Sequence, residues 1–213
     1  MVKKQKSFKG VTLEYPITLI DTSALLHPLE GCPDKEDKSY QARILYSRIS
    51  LNSSIFFRRF LEQRNTFYVT RNVLEEYTPE PLRKVSPSHG IKYLLFNERQ
   101  RNDEKRRDFI ELLRSNGNVI QLSEREQEYY SFFNRAHKDI MDRERLSETD
   151  SDLLISGVVV SKTRGATCLI SNDFGILRSW KDLVRGGKIA PEEFGFFLRK
   201  EPDVFERANY PYR

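Results

Sequence analysis

Short apolar runs that end in acidic residues constrain the fold of this chain more than any other feature of its sequence. The run Ile17–Ile20 is followed by Asp21, and the run Cys168–Ser171 is followed by Asn172 and Asp173. Apolar runs of this length, with β-branched residues, are typical of buried strands. In an open α/β sheet, ligands bind just beyond the carboxyl ends of the strands, so we expect these acids to meet at one edge of the sheet.

Two further segments place acidic residues in a similar setting. Glu76 comes shortly after the strand-like run Phe67–Thr70, and Asp150 and Asp152 precede the apolar run Leu153–Ile155. Each acid alone has an ordinary explanation, such as a helix cap, a turn or a solvated helix position. Because the pattern recurs, one shared site is the simpler interpretation. Carboxylates that share a site repel one another, and a hard divalent cation with oxygen ligands is the usual compensation.

Strand-like and helix-like segments alternate along the chain, which indicates a parallel sheet flanked by helices. We expect strands at residues 17–20, 67–70, 119–122 and 166–171. We expect one helix that begins near Ala24. We expect further helices at residues 72–77, 91–115, about 124–145 and about 147–165. The densely mixed charges of the helix at 91–115 are typical of a solvated face. We therefore predict an α/β fold of three α/β/α layers with a central, mostly parallel sheet and helical insertions.

The length of 213 residues suggests one domain with additions. We expect a basic, flexible N-terminus at residues 1–10, a single domain at residues 11–213, and insertions in that domain at about 30–64 and 80–118. The N-terminal segment carries no acid and the lysines Lys3, Lys4, Lys6 and Lys9. It is interpreted as a frayed tail or as an arm that binds nucleic-acid phosphates.

Composition and charge narrow the class of protein. Hydrophobic residues make up 38% of the chain and charged residues 31%, which suffices for one core beneath a charged surface. The net charge of +5 fits a polyanionic partner such as nucleic acid. The apolar runs are too short to span a membrane, the N-terminus lacks the apolar part of a secretory signal, and two cysteines indicate neither a disulfide framework nor a zinc site. We expect a cytoplasmic protein with no membrane partner.

Four motifs, in order along the chain, resemble those of PIN-domain nucleases. Residues Leu19–Leu26 match an apolar strand that ends in Asp followed by Thr or Ser. Residues Val73–Tyr77 match a Val-Leu-x-Glu-apolar pattern, which selects Glu76. Residues Leu146–Ile155 match an acid that opens an apolar helix, and residues Leu169–Phe174 match an apolar strand that ends in Ser-Asn-Asp. The resemblance covers the core of the chain and not the two insertions.

The resemblance implies a PIN-like fold and a metal-dependent phosphodiesterase, most often an endoribonuclease. In such enzymes carboxylates hold Mg²⁺ or Mn²⁺, which activates water for attack on phosphorus and stabilises charge on the attacking and leaving oxygens. The implied metal ligands are Asp21, Asp150, Asp152 and Asp173. Glu76 completes the implied catalytic set, as an outer ligand or by orienting the water. Supporting hydrogen bonds are implied from Thr22, Ser23, Ser171 and Asn172.

Several alternatives stay open on the sequence. The expected substrate is RNA, with DNA as the alternative, and Arg71, Arg178 and Lys181 are candidate phosphate contacts because they lie near the motifs. A homodimer or a protein partner also fits. A non-catalytic PIN-fold module that binds RNA or a protein is the main alternative to an enzyme. A phosphatase of the haloacid-dehalogenase type is disfavoured, because its chemistry requires Asp at the position of Ser23.

Overall fold

The sheet at the centre of the molecule is mixed. The computed structural model describes residues 5–25, 52, 54–59, 61, 67–79 and 91–209, and these form an α/β structure with a five-stranded sheet. In chain order the strands are β1 (Gln5–Lys6), β2 (Ile17–Ile20), β3 (Thr167–Ile170), β4 (Phe194–Glu201) and β5 (Val204–Arg207). Their order in the sheet is β1-β5-β4-β3-β2.

Helices connect and flank these strands. Those with defined bounds in the described residues are α1 (Phe8–Glu14), α2 (Thr22–Leu25), α3 (Arg71–Tyr77), α4 (Ile91–Ser115), α5 (Glu124–Ala136), α6 (Lys138–Arg143), α7 (Glu148–Thr163) and α8 (Phe174–Arg185). Residues 54–59 are helical as well. The side chain of Ser123 caps α5 in a capping box with Glu126, and the helix begins where the sequence predicts it.

The parallel strands lie together on one side of the sheet. β2 runs parallel to β3, and β3 runs parallel to β4. β5 is antiparallel to β4 and to β1. The expectation of a mostly parallel sheet therefore holds only for β2, β3 and β4. Both antiparallel pairs involve β5, which lies between β1 and β4. The sequence patterns predicted none of these three strands.

Two predicted strands are present as extended segments that make isolated bridges. Leu19 pairs in parallel with Tyr68, and Val69 pairs in parallel with Val119. The Tyr68 N–H donates to the Thr18 carbonyl at 2.8 Å. The segments near residues 68 and 119 therefore continue the parallel side of the sheet beyond β2, which places the start of α3 beside the end of β2.

Helices cover both faces of the sheet, an arrangement compatible with three α/β/α layers. Because neighbouring side chains on a strand point to opposite faces, Phe196 and Phe197 of β4 mark the two sides. The Trp180 ring of α8 packs on Phe196 with 5.7 Å between ring centroids. The Tyr15 ring, just after α1, packs on Phe197 at 5.8 Å. The core is thus built on both faces of one sheet.

The N-terminal segment differs from its expected state over residues 5–10. Gln5 and Lys6 form β1 against β5, and α1 begins at Phe8. Phe8 is fully buried, and its ring packs on Phe57 and Phe67 with centroid distances of 5.3 and 5.9 Å. Residues 5–10, where the sequence predicts a flexible basic segment, therefore form a strand and the start of a helix that packs on the core. Residues 1–4 lie outside the described residues.

The predicted insertions contribute to the same core. Most of the segment at 30–64 lies outside the described residues, but Phe57 within it is buried against Phe8. In the segment at 80–118, α4 has the predicted bounds, but some of its charged side chains are buried and not exposed to solvent. Asp103 and Arg106 are buried, and the Arg106 guanidinium lies 4.2 Å from the centre of the Tyr77 ring. The helix therefore packs across α3 through charged side chains.

One further difference concerns the bounds of a helix. The helix expected at about 124–145 is divided at His137, whose φ of −128° is not helical and whose ring lies 4.5 Å from that of Phe133. Packing of the imidazole on Phe133 accompanies this break. No helix in the described ranges has both the length and the apolar character needed to cross a membrane.

Candidate functional site

The carboxyl ends of β2 and β3 lie side by side because the two strands are parallel and in register. Ile20 lies opposite Ile170, and the Asp21 N–H donates to the Ile170 carbonyl at 3.0 Å. Asp21 is thus held directly beyond β2, and Ser171 directly beyond β3. The Ser171 hydroxyl donates to Asp21 Oδ2 at 2.7 Å. Two positions that are far apart in the sequence are therefore in direct contact.

Asp21 is a buried carboxylate with only 2% of its surface exposed. Burial raises the pKa of Asp21 to about 6, hydrogen bonds from Ser23 and Ser171 oppose the rise, and the Asp150 and Glu76 carboxylates add to it. The last two effects require that Asp150 and Glu76 lie in the electrostatic reach of Asp21. The structure therefore brings three of the predicted acids, from β2, α3 and α7, into one neighbourhood.

Asp173 joins this neighbourhood from the start of α8, where it is the N-cap residue. Its Oδ1 accepts hydrogen bonds from the Gly175 N–H at 2.6 Å and the Ile176 N–H at 3.0 Å. The Asp173 N–H donates to Ser171 Oγ at 3.0 Å, so one serine hydroxyl links Asp173 to Asp21. The cap uses Oδ1, and within the described part of the chain Oδ2 accepts no hydrogen bond.

Ser23 and Asn172 brace the same strand ends. The Ser23 hydroxyl donates to Asp21 Oδ2 and accepts from the Asn172 N–H at 2.9 Å. Asn172 Oδ1 accepts from the Arg199 N–H at 2.9 Å. Arg199 is buried at β4, and its Nη1 donates to the Ala24 carbonyl at 2.7 Å. These bonds tie the ends of β2, β3 and β4 together beneath the acids.

Glu76 reaches the site through its neighbour Thr22. The Thr22 hydroxyl donates to Glu76 Oε2 at 2.9 Å. Thr22 is buried at the start of α2, whereas Glu76 is an exposed residue of α3. The contact fixes an otherwise solvated carboxylate next to Asp21.

Asp150 has a structural role as well as a place near Asp21. Its Oδ2 accepts from the Ser147 N–H at 3.3 Å and from the Ser147 hydroxyl at 2.7 Å, which completes a capping box at the start of α7. The helix cap therefore orients the carboxylate, and the charge of Asp150 acts on Asp21.

Asp152 has different surroundings from Asp150, since residues two apart on a helix do not share a face. The Ser156 hydroxyl donates to Asp152 Oδ1 at 3.4 Å. Burial raises the pKa of Asp152, and the hydroxyls of Thr70, Tyr130 and Ser156 oppose the rise. Asp152 lines a cleft whose walls include neither Asp21 nor Asp150.

This cleft is open and has a volume of about 480 Å³. It lies between the start of α3, the extended segment near residue 120, the middle of α5 and the first turns of α7. We call it the α3–α7 cleft. Its lining combines a cation, two carboxamides, two acids, hydroxyls and apolar side chains, namely Thr70, Arg71, Asn72, Ile120, Leu122, Gln127, Tyr130, Ser131, Glu148, Asp152 and Ser156.

The chemistry of the acids fits a divalent cation, but their spacing does not form a closed ligand set. Among the described residues, no basic side chain forms an ion pair with Asp21, Glu76, Asp150 or Asp173. Over the same ranges, no three His, Cys, Asp or Glu side chains lie close enough together to hold a metal ion. The acids are thus an uncompensated group of oxygen donors, and a cation among them would need water molecules or side-chain movement to complete its ligands.

The three basic residues predicted to contact phosphates have different positions. Arg71 lies at the rim of the α3–α7 cleft, with 83% of its side chain exposed, and its Nε pairs with Glu75 at 2.8 Å. Arg178 is exposed on α8 and is paired with Glu144. Lys181 is half-buried, one turn further along α8. Of the three, the cleft lining includes only Arg71.

Several residues of interest were not predicted from the sequence. Tyr130, on α5, lines the α3–α7 cleft together with Asp152. Arg199 has no sequence signal, because its role depends on the unpredicted strand β4. Phe174 follows the Ser-Asn-Asp motif directly and is 64% exposed. An apolar aromatic at the first position of a helix, next to a predicted metal ligand, is a signal that the sequence did offer.

Comparison of the chain with protein families, with curated proteins and with solved structures found no match. The resemblance to PIN-domain nucleases therefore remains a prediction from the sequence motifs, and any functional proposal rests on the residues and their geometry.

Proposed function

We propose that this chain is a divalent-metal-dependent nuclease with a PIN-like fold, and that it hydrolyses RNA phosphodiester bonds as an endoribonuclease. The observation that carries the proposal is the position of Asp21 and Asp173 beyond neighbouring parallel strands, joined by the hydroxyl of Ser171. Acids beyond adjacent strand ends are where an open α/β sheet binds its ligands. The sequence motifs support RNA as the substrate, and the net charge of +5 supports a polyanion.

The side chains around Asp21 suit it to hold Mg²⁺ or Mn²⁺. Ser23 and Ser171 both donate to Oδ2, and no described residue donates to Oδ1, which makes Oδ1 the ligand atom in this proposal. Asp173 Oδ2 and the carboxylate of Asp150 would complete the protein ligands, directly or through water. A cation bound there supplies Lewis-acid stabilisation of charge on a phosphodiester.

Two other acids take different roles in this proposal. Glu76, held by Thr22, would orient the attacking water. Asp152 would act on the substrate side, because it lies in the wall of the α3–α7 cleft and accepts a hydrogen bond from Ser156 there. The proposal thus separates the paired acids of α7: Asp150 serves the cation, and Asp152 serves the substrate.

The test combines cleavage with a direct measurement of metal binding. Labelled single-stranded RNA, structured RNA and DNA of matched sequence are incubated with the full chain in Mn²⁺, in Mg²⁺ or in chelator. We expect cleavage of RNA only with the divalent ion, and a loss on the order of 100-fold or more in Asp21→Asn, because electrostatic stabilisation is usually the largest contribution to catalysis. Calorimetric Mn²⁺ binding should weaken in the same variant.

Asp108→Asn is the matched control, since Asp108 is an exposed residue of α4. It should leave cleavage and Mn²⁺ binding unchanged. Cleavage that persists in chelator, or that survives Asp21→Asn at the wild-type rate, would refute the proposal. Tight RNA binding without cleavage or metal dependence would favour a non-catalytic binding module.

A further inference from the structure

The α3–α7 cleft has the size of a site for one small organic group. Its volume of about 480 Å³ lies in the range of small-ligand sites, about 300–1,000 Å³. Asp152 forms part of its wall, and Asp150 lies two residues earlier on the same helix, in the electrostatic reach of Asp21. The cleft and the acids around Asp21 therefore adjoin the same first turns of α7.

The polar groups of the cleft suit a base more than a phosphate. Asn72 and Gln127 bring two carboxamides to the wall, and carboxamides recognise the donor and acceptor edges of bases. The Gln127 amide nitrogen donates to the Leu122 carbonyl at 3.0 Å, which fixes this side chain in the wall. Glu148 and Asp152 would repel a phosphate placed inside, whereas a neutral base meets no such repulsion.

Tyr130 gives the cleft an aromatic surface. It is half-buried and lines the cleft together with Asp152. Ile120 and Leu122 supply apolar surface in the same lining. Aromatic rings of this kind stack on unpaired bases in proteins that bind single-stranded nucleic acid.

Arg71 supplies the complementary charge at the rim. Its ion pair with Glu75 uses Nε, and 83% of the side chain is exposed, so the terminal guanidinium nitrogens face solvent. Guanidinium groups bind phosphate oxygens through such nitrogens. The cleft has acids in its wall and a cation at its rim. This distribution of charge suits a neutral base inside the cleft and its phosphate outside it.

We infer that the α3–α7 cleft binds one unpaired nucleobase of single-stranded RNA, next to the phosphodiester that is cleaved. This inference rests on the proposed function and deepens it, because it makes the substrate single-stranded and gives the enzyme a base preference at one position. The base must be unpaired, since its hydrogen-bonding edge faces Asn72 and Gln127. Arg71 holds the adjacent phosphate.

Binding in chelator tests the cleft apart from cleavage. The probes are fluorescent oligo(A), oligo(C), oligo(G) and oligo(U) of equal length, and an RNA duplex, titrated with the full chain. We expect one homopolymer to bind more tightly than the others, and the duplex to bind more weakly than any single strand. In Asn72→Ala and Gln127→Ala, affinity for the preferred homopolymer should fall about 5- to 150-fold and approach that of the others.

Asn134→Ala is the control, because Asn134 is an exposed carboxamide on α5 that is absent from the cleft lining. It should change no affinity. Equal binding of all four homopolymers, a duplex bound as tightly as single strands, or an equal loss for every homopolymer in the two cleft variants would each overturn the inference. If RNA is still cleaved in any of these cases, the proposed nuclease activity holds and the proposed base site does not. Base-selective binding without cleavage in Mn²⁺ keeps the base site and removes the nuclease.

Discussion

Asp173 shows at the scale of a single residue how one acid combines a structural role with a proposed chemical role. As the N-cap of α8 it accepts two backbone N–H bonds, and its own N–H is linked to Asp21 through the Ser171 hydroxyl. Asn is as good an N-cap as Asp, but it carries no charge. Asp173→Asn should therefore abolish metal-dependent RNA cleavage and leave the free energy of unfolding nearly unchanged.

Asp173→Ala separates the two roles, since alanine cannot cap. It should lose cleavage to the same extent and lower the free energy of unfolding by about 1 kcal/mol, the usual loss for an N-cap. Urea denaturation and the cleavage assay, run on the same preparations, measure both. If Asp173→Asn is as unstable as Asp173→Ala, the charge of Asp173, and not only its cap, supports the fold.

Phe174 is the second residue whose role is open to a simple test. It is 64% exposed at the start of α8 and directly follows Asp173. Stacking of a base on such a ring contributes about 1–3 kcal/mol to binding. Phe174→Ala should therefore weaken single-stranded RNA binding about 5- to 150-fold, with no loss of thermal stability.

Phe132→Ala provides the comparison, because Phe132 is 61% exposed on α5 and absent from the cleft lining. Fluorescence anisotropy in chelator measures both variants. Equal effects of the two changes would show that any exposed phenylalanine serves, and that Phe174 has no special place on the RNA path.

At the scale of elements, Gly157 allows α7 to approach the sheet closely. A Cβ placed on Gly157 would lie 2.4 Å from the Phe194 ring and 3.3 Å from a Leu19 methyl group. Both neighbours are fully buried, so neither can yield without disturbing the core. Gly157→Ala should lower the free energy of unfolding by about 1–3 kcal/mol, since overpacking outweighs the better helix propensity of alanine.

Gly10→Ala is the matched change in α1. The nearest atoms to a Cβ at Gly10 lie 3.5 Å away, which is ordinary contact. This variant should gain about 0.5–1 kcal/mol, because alanine favours the helix and restricts the unfolded chain. Denaturation midpoints measure both. A stabilised Gly157→Ala would mean that α7 does not pack on β4 as tightly as described.

Helices and strands differ in how well the sequence predicts them. The sequence predicts the starts of α5 and α7 well because caps are local, and Ser123 and Ser147 act as N-caps through residues three positions ahead. It does not predict β4, where Gly195 and a run of phenylalanines show no alternation. That strand depends on distant contacts: a Cβ at Gly195 would meet the Tyr15 ring at 2.6 Å. Such contacts have no local signature.

The residues of the site also differ in how far the sequence predicts their surroundings. The positions of Asp21 and Asp173 could be predicted, because parallel strands bring their carboxyl ends together whatever the details of packing. The surroundings of Asp152 could not, because Thr70 and Tyr130 reach it from two other segments. How α5 lies against α7 decides that contact, and sequence periodicity gives only the apolar face of each helix.

At the scale of the whole molecule, one ion pair joins the two helices that enclose the α3–α7 cleft. Glu126 of α5 is buried and accepts from Arg164, just beyond α7, at 2.8 Å to Nε and 2.7 Å to Nη2. The Thr163 hydroxyl donates to the same carboxylate at 2.7 Å. The pair fixes α5 to the end of α7, and thereby the distance between the walls of the cleft.

The pH dependence of stability should report this pair. The Arg164 guanidinium is the main cause that holds the pKa of Glu126 well below its usual range. A carboxylate with a lowered pKa in the folded state stabilises the fold above its unfolded pKa, about 4.3, and loses that contribution as the pH falls below it. Glu126→Gln should therefore lower the free energy of unfolding by about 1–2 kcal/mol at pH 7, a figure reduced because Arg164 is partly exposed.

The difference between wild type and Glu126→Gln should stay full from pH 7 to about 5 and shrink as the pH falls below about 4.3. Glutamine can retain the capping box through its amide oxygen, but its NH₂ cannot accept from Arg164, so the variant removes the ion pair together with its hydrogen bonds. Glu128→Gln, at an exposed position of the same helix, should change stability by less than about 0.5 kcal/mol at any pH. Urea denaturation at a series of pH values measures all three proteins. A difference that persists unchanged at pH 3 would assign the role of Glu126 to packing, and the two helices would then be held together by their apolar faces alone.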